Sequence, residues 1–408
     1  MRRRNPVRDA PRARQLRRFE LGYLAYRFVR ELAPIYATYA ILIIERGVSP
    51  IELSVLLSAW SVAAMVFELP SGALADRVST RWLLMCACLL KSACFLSWLL
   101  HPTFFGFMLG FVLWGLESAI RSGAEEALVY RAVNRGGHGS DFERVFGRGA
   151  AAGSAGTGLA FLVGGYLVES MGFEFVLVIS IVAPFFGTVL VFTWPEISGV
   201  QRSRSQQTFG QTVMAGFGHV LSSRNLFLIV AAAVLFAPIW HGVDEYLGVF
   251  LVEKDAFDLT AVGVVYAAAT GANAVAVTVA HRYVGGGLQR VLRIYGLATI
   301  MLWGAVFLPS VFAGVALVVS LGLNGLAAIL LDGLIQRAAN DATRATTASV
   351  KGLLQSIVGV GVFVFCGWLA GVVDWHGAML AVCVVAATLW IASGYVLARQ
   401  QSPRHTLD

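Results

Sequence analysis

Apolar runs of about 20 residues, the length that crosses a bilayer as a helix, recur along this 408-residue chain with short polar breaks between them. The pattern predicts helices near 21–45, 50–75, 81–100, 103–131, 144–170 and 172–195, and six more near 225–252, 259–283, 288–308, 311–339, 345–373 and 376–398. One polar interruption, 196–224, divides the runs into two groups of six. Within it Phe209, Val213, Met214, Phe217, Val220 and Leu221 recur at helical spacing. That spacing fits an amphipathic helix on the inner membrane surface, or a plain tether with one apolar face. The expected organisation is a basic cytoplasmic tail over 1–20, a six-helix half over 21–195, a cytoplasmic linker over 196–224, a second six-helix half over 225–398 and a cytoplasmic tail over 399–408. The fold class is therefore all-α integral membrane, with twelve transmembrane helices in two six-helix repeats.

Composition agrees. Hydrophobic residues make up 57% and charged residues 13%, against about 25% charged in soluble domains, and the mean hydropathy is +0.72. The net charge of +7 raises nucleic acid as a partner, but its distribution speaks for membrane topology. Loops assigned inside carry Arg77 and Arg81; Arg131, Arg135, Arg144 and Arg148; Arg202, Arg204 and Arg224; Arg282, Arg290 and Arg293; and Arg337, Arg344 and Lys351. Loops assigned outside carry only Arg46 and Lys254. The alternation predicts an even number of spans in the cell membrane with both termini cytoplasmic. Eight arginines between Arg2 and Arg18 precede the first apolar run with no small-residue cleavage site after them, which reads as a retained tail. Cys86, Cys88, Cys94, Cys366 and Cys383 lie in apolar runs without metal-ligand spacing, so they are expected to pack. No phosphate-binding loop, catalytic triad order or metal spacing is present. Neither an enzyme nor a cofactor is expected.

Charges inside apolar runs are costly and mark function or interhelical pairing. The first run holds Arg27, Arg30 and Glu31. Glu31, near mid-depth, is the first candidate for proton coupling, the alternative being a fixed ion pair with another helix. Arg30 is adjacent in sequence but points about 100 degrees away around the helix and need not pair with Glu31. Lys91 either snorkels to the interface or, at its depth, finds an acidic partner. In the fourth run Glu117, Arg121 and Glu125 form one i, i+4 row, which neutralises itself, relays a proton or holds a charged substrate. In the seventh run His241 and Glu245 share a face beside Asp244, as a proton site, a substrate contact or a polar mouth. Tyr36, Tyr39, Trp60, Trp240, Arg30 and Arg121 are candidate cavity residues for an amphiphilic or aromatic substrate, although such aromatics also pack or anchor at interfaces.

The stretch from Gly72 to Arg81 sets Asp76-Arg77 between two apolar runs. It resembles the signature loop of the major facilitator superfamily, Gly-x-Leu-Ala-Asp-Arg-x-Gly-Arg-Lys, at Gly72, Leu74, Ala75, Asp76, Arg77 and Arg81, and departs from it at Ser79 and Thr80. Short echoes at an offset of about 205 residues join the halves: Glu126 to Arg131 reads EALVYR and Asp332 to Arg337 reads DGLIQR, while Arg77 falls on Arg282 and Asp76 on His281. Gly147, Gly156, Gly164 and Gly165 follow the spacing of the glycine motif of drug-proton antiporters, with Ala160 and Phe161 in place of its Gly-Pro. Glycines at this spacing also serve close helix contact in any membrane bundle. The resemblance implies the major facilitator fold, with a substrate site between the repeats. It implies an inner latch of Gly72, Asp76, Arg77, Arg81 and Arg131. It further implies proton-coupled efflux of a small amphiphilic molecule by a monomer in the bilayer. A metabolite symporter or uniporter of the same fold, and a non-transporting scaffold or sensor, are the competing expectations.

Overall fold

The computed structural model describes residues 6–75, 78–135, 141–194, 209–254, 257–339 and 344–401. Among these the chain is helical throughout, with no strand. In order, the α-helices are α1 (Pro6–Glu31), α2 (Tyr39–Glu45), α3 (Pro50–Ala75), α4 (Thr80–Leu100), α5 (Phe104–Arg135), α6 (Phe142–Phe192), α7 (Phe209–Ser222), α8 (Arg224–Glu253), α9 (Leu259–Val279), α10 (Gly287–Phe307), α11 (Ser310–Ala338), α12 (Arg344–Val372) and α13 (Trp375–Gln401). Ten helices among the described residues are long and apolar enough to cross a membrane. α6 is 51 residues long and breaks at Gly172, whose φ of 84° and ψ of 167° only glycine adopts freely. It therefore holds both the fifth and the sixth of the expected spans.

The first expected span differs from its prediction in two ways. It begins within the expected tail, at Pro6, and it is not continuous. α1 stops at Glu31, a 3₁₀ turn covers Pro34–Ala37, and α2 resumes at Tyr39. Pro34 has no amide hydrogen and disfavours helical backbone at its predecessor, and Ala33 is extended at φ −113°, ψ 96°. The amide of Ile35, left without a helical partner, donates to Ser180 Oγ on α6 at 3.1 Å. Such interruptions survive at membrane depth only where protein satisfies the freed groups.

Residues group into two compact units, Met1–Val48 with Ala59–Ser205, and Ser49–Ser58 with Gln206–Asp408. In the first, α1 runs along α6, and α4 lies against α5 and α6. The core there is built from Tyr23, Tyr26, Leu84, Cys88, Ala124, Leu128, Val145 and Trp194 with their neighbours. In the second, α10 and α9 pack on α11, and α12 on α8. Helix α7 does not simply float: a Cβ at Gly216 would come 2.8 Å from the Thr346 carbonyl of α12, and Val220 is buried. Met214 and Leu221 stay exposed.

Candidate functional site

The break after Glu31 brings the charges of α1 together. Because the helix ends there, Arg30 reaches its own neighbour, and the expectation that the two need not pair is corrected: Arg30 Nη1 donates to Glu31 Oε1. Lys91 of α4 donates to Glu31 Oε2 at 3.1 Å, and the Tyr36 hydroxyl to the same oxygen at 3.3 Å. The other arm of Arg30 donates to Glu117 Oε1 on α5. Arg121 Nε and Nη1 then donate to Glu117 at 3.2 Å and Glu125 at 3.3 Å, forming the expected row. Glu125 is gripped by Arg27 Nη1 on both oxygens, at 2.8 and 2.9 Å, and by the Tyr23 hydroxyl at 2.7 Å. One continuous network thus links α1, α4 and α5. Arg30, Lys91, Glu117 and Glu125 are buried, while Arg121 is the most accessible of its cations at 24%.

Aromatic rings close one side of it. Trp114 of α5 stacks on Tyr36 with centroids 5.5 Å apart and meets Tyr39 and Trp60 edge-on. The Lys91 ammonium sits 5.0 Å from the Tyr36 centroid and 5.8 Å from that of Trp114, within cation–π range. Trp114 and Arg121 share a face of α5 with Ser118 between them, and all three are half-buried.

The glycines of α6 seat α1 against this network. A Cβ at Gly156 would lie 2.3 Å from the Phe28 carbonyl, and one at Gly164 2.2 Å from the Pro34 carbonyl, at the break. Close backbone approach therefore requires glycine at both. Gly165 is buried, whereas Gly147 is exposed, and a Cβ added there would meet nothing within 4 Å. Gly149 and Gly153, not singled out by the motif, face Tyr23 and Arg27, and Arg27 Nε donates to the Gly149 carbonyl at 3.3 Å.

The remaining expected residues lie elsewhere. Asp76 and Arg77 fall outside the described residues, and Gly72 is in the last turn of α3. Arg81 donates to the Phe192 carbonyl and stacks its guanidinium 5.1 Å from that ring. Arg131 is half-buried on α5. In the second unit His241 Nε2 lies 3.7 Å from Glu245 Oε1 on α8, with Asp244 exposed beside them. Trp240 on α8 is buried at 2%. Asp332 is paired with Lys351 at 2.6 Å. Among the described residues no group of three histidine, cysteine or carboxylate side chains is arranged to hold a metal ion.

The family model of the Major Facilitator Superfamily matches residues 20–366. The chain belongs to the major facilitator superfamily. It is accordingly a multi-pass membrane protein with a transporter fold. Solved structures with the same fold include a mutant of the nucleoside transporter NupG, at 15% identity and TM-score 0.77, covering 92% of this chain and 98% of that one. A bacterial homolog of the human lysosomal transporter Spinster, inward-facing and occupied, matches at 14% identity and TM-score 0.74 over 98% of this chain and 100% of that one. A POT family transporter in complex with 5-aminolevulinic acid matches at 13% identity and TM-score 0.71, over 94% and 96%. No curated protein matches the sequence. For this superfamily member the likenesses establish the fold alone.

Proposed function

We propose that this chain is a secondary active transporter of the drug-proton antiporter branch, exporting a small amphiphilic molecule in exchange for protons. It works by alternating access, as a monomer in the cell membrane with both termini in the cytoplasm. The observation that carries this reading is the charged network of α1, α4 and α5 beside the ring of Tyr36, Tyr39, Trp60 and Trp114. A merely structural bundle gains nothing by placing so many charges among apolar spans, whereas an aromatic wall beside polar anchors suits an amphiphile.

Coupling is assigned to α8 ahead of Glu31 and Glu117. Both of those carboxylates are held by the guanidinium of Arg30, a permanent cation that protonation of either acid would leave short of a counter-charge. Glu245 Oε1 lies 3.7 Å from Nε2 of His241, a residue type whose unperturbed charge change falls between pH 5 and 8. Asp244 is its neighbour on the same helix. The inner latch is assigned to Gly72, Asp76, Arg77, Arg81 and Arg131. One charge moved through roughly 100 mV yields about 2.3 kcal/mol, enough for about a fiftyfold gradient of a neutral substrate at one-to-one exchange.

The test is flux in inside-out vesicles with an imposed pH gradient. Accumulation of substrate that follows an acid interior supports antiport. Accumulation indifferent to the gradient removes antiport and leaves a uniporter, and accumulation that follows the opposite gradient identifies a symporter.

A further inference from the structure

The network does not balance. Among the described residues it joins four cations, Arg27, Arg30, Lys91 and Arg121, to three carboxylates, Glu31, Glu117 and Glu125. Three of the cations already pair off one to one: Lys91 with Glu31, Arg30 with Glu117, and Arg27 with Glu125. Arg121 is the surplus. It shares Glu117 and Glu125 with those closer partners, at 3.2 and 3.3 Å, and its Nη2 makes no hydrogen bond among the described residues. It is also the network's most accessible cation.

A cation in excess among apolar spans favours an anion as its neutralising partner. The surroundings of Arg121 indicate which kind. Trp114 and Ser118 precede it by seven and three residues on the same half-buried face, which sets the Cα atoms of Trp114 and Arg121 about 10 Å apart along the axis at 1.5 Å per residue. The face carries at one side the Trp114 ring, packed among Tyr36, Tyr39, Trp60 and Phe111, and at the other a guanidinium whose Nε and Nη1 hold Glu117 and Glu125 and whose Nη2 is left to donate. A guanidinium fork fits a carboxylate, sulfonate or phosphate better than any neutral group.

We propose that the α5 face from Trp114 through Ser118 to Arg121 binds an aromatic organic anion, whose acid group pairs with Arg121 and whose ring lies against Trp114. This rests on the transporter reading for its physiological meaning and supplies the substrate class which that reading leaves open. Arg121 is the contact residue. Arg27, Arg30 and Lys91 hold the three carboxylates more closely than Arg121 does, which leaves Arg121 Nη2 to a ligand.

The probe pair is 2-naphthylacetate and its uncharged isostere 2-naphthylacetamide, titrated calorimetrically into the full-length protein in lipid nanodiscs. The carboxylate is expected to bind at least roughly tenfold tighter than the amide, the scale of one charge-assisted hydrogen bond. Arg121→Gln is expected to abolish that preference, so that the carboxylate and the amide bind the variant with equal affinity. This variant leaves three one-to-one ion pairs, so it is expected to fold, and an unchanged thermal unfolding midpoint is the control. Arg121→Lys restores part of the preference. Equal affinity for the two probes, or a preference that survives Arg121→Gln, overturns the proposal. Binding and flux separate the two claims. Preferential anion binding with no movement across proteoliposomes sinks the transporter reading and leaves the site. Flux of neutral and anionic probes alike sinks the site and leaves the transporter.

Discussion

Glu117→Gln tests whether the network is a set of interlocked charges. The side chain is 1% exposed and accepts from Arg30 Nη2, from Arg121 Nε at 3.2 Å and from Ser118 Oγ at 3.4 Å. Glutamine keeps the shape and one acceptor but removes the charge, raising the excess from one positive charge to two. Breaking a buried ion pair from one side costs about 3–5 kcal/mol, because the remaining partner stays buried. At roughly 2–4 °C per kcal/mol for a cooperative unit of this order, the unfolding midpoint should fall by about 6–20 °C. The assay is thermal unfolding of the purified protein in one fixed detergent, followed by tryptophan fluorescence. Arg121→Gln, measured beside it, should stay within about 1 kcal/mol of the parent, since every carboxylate keeps a cation. A Glu117→Gln midpoint within about 2 °C of the parent would refute the reasoning, because the carboxylate would then contribute no net charge pairing.

Other expectations follow from the same geometry. Gly164→Ala places a Cβ 2.2 Å from the Pro34 carbonyl and should lower the unfolding midpoint and the yield of folded protein; Gly147→Ala meets nothing and should hold or raise the midpoint through helix propensity, by up to about 1 kcal/mol. Glu245→Gln should leave substrate counterflow intact while removing the response to an imposed pH gradient in proteoliposomes; retained pH-driven flux would return coupling to another acid. Lys254 donates to the carbonyls of Ala305 and Val306 at 2.8 and 2.7 Å, at the end of α10, so Lys254→Met should cost about 1 kcal/mol by loss of that cap, read as a midpoint shift without change in transport.

The helices were legible because apolar runs of spanning length and alternating loop charge leave few arrangements open. The ladder of Glu117, Arg121 and Glu125 was legible for the same kind of reason, since i, i+4 spacing is local. What joins it to α1 and α4 was not. Arg27 and Glu125 are 98 residues apart and Lys91 and Glu31 are 60 apart, and nothing in one sequence registers one helix against another. The Arg30 and Glu31 contact is not legible from helical geometry, which points the two about 100 degrees apart; it forms at the end of α1, just before Pro34. Pro34 was the available signal, three residues after the acid. Tyr23 and Arg27, one turn apart and both on Glu125, carried a fainter one. The glycine spacing on α6 pointed to the correct helix but to only part of the contact stripe, because Gly149 and Gly153 lie outside the motif's pattern and Gly147 lies off the packed face.

Proton movement measured inside proteoliposomes, with a pH-reporting dye trapped in the lumen, tests the central claim most directly. Addition of substrate to vesicles holding an imposed pH gradient is predicted to release protons in proportion to substrate moved, with the response lost in Glu245→Gln while counterflow persists. Substrate flux that leaves the luminal pH unchanged, or a broad panel of aromatic acids and amphiphiles of which none crosses, would contradict it.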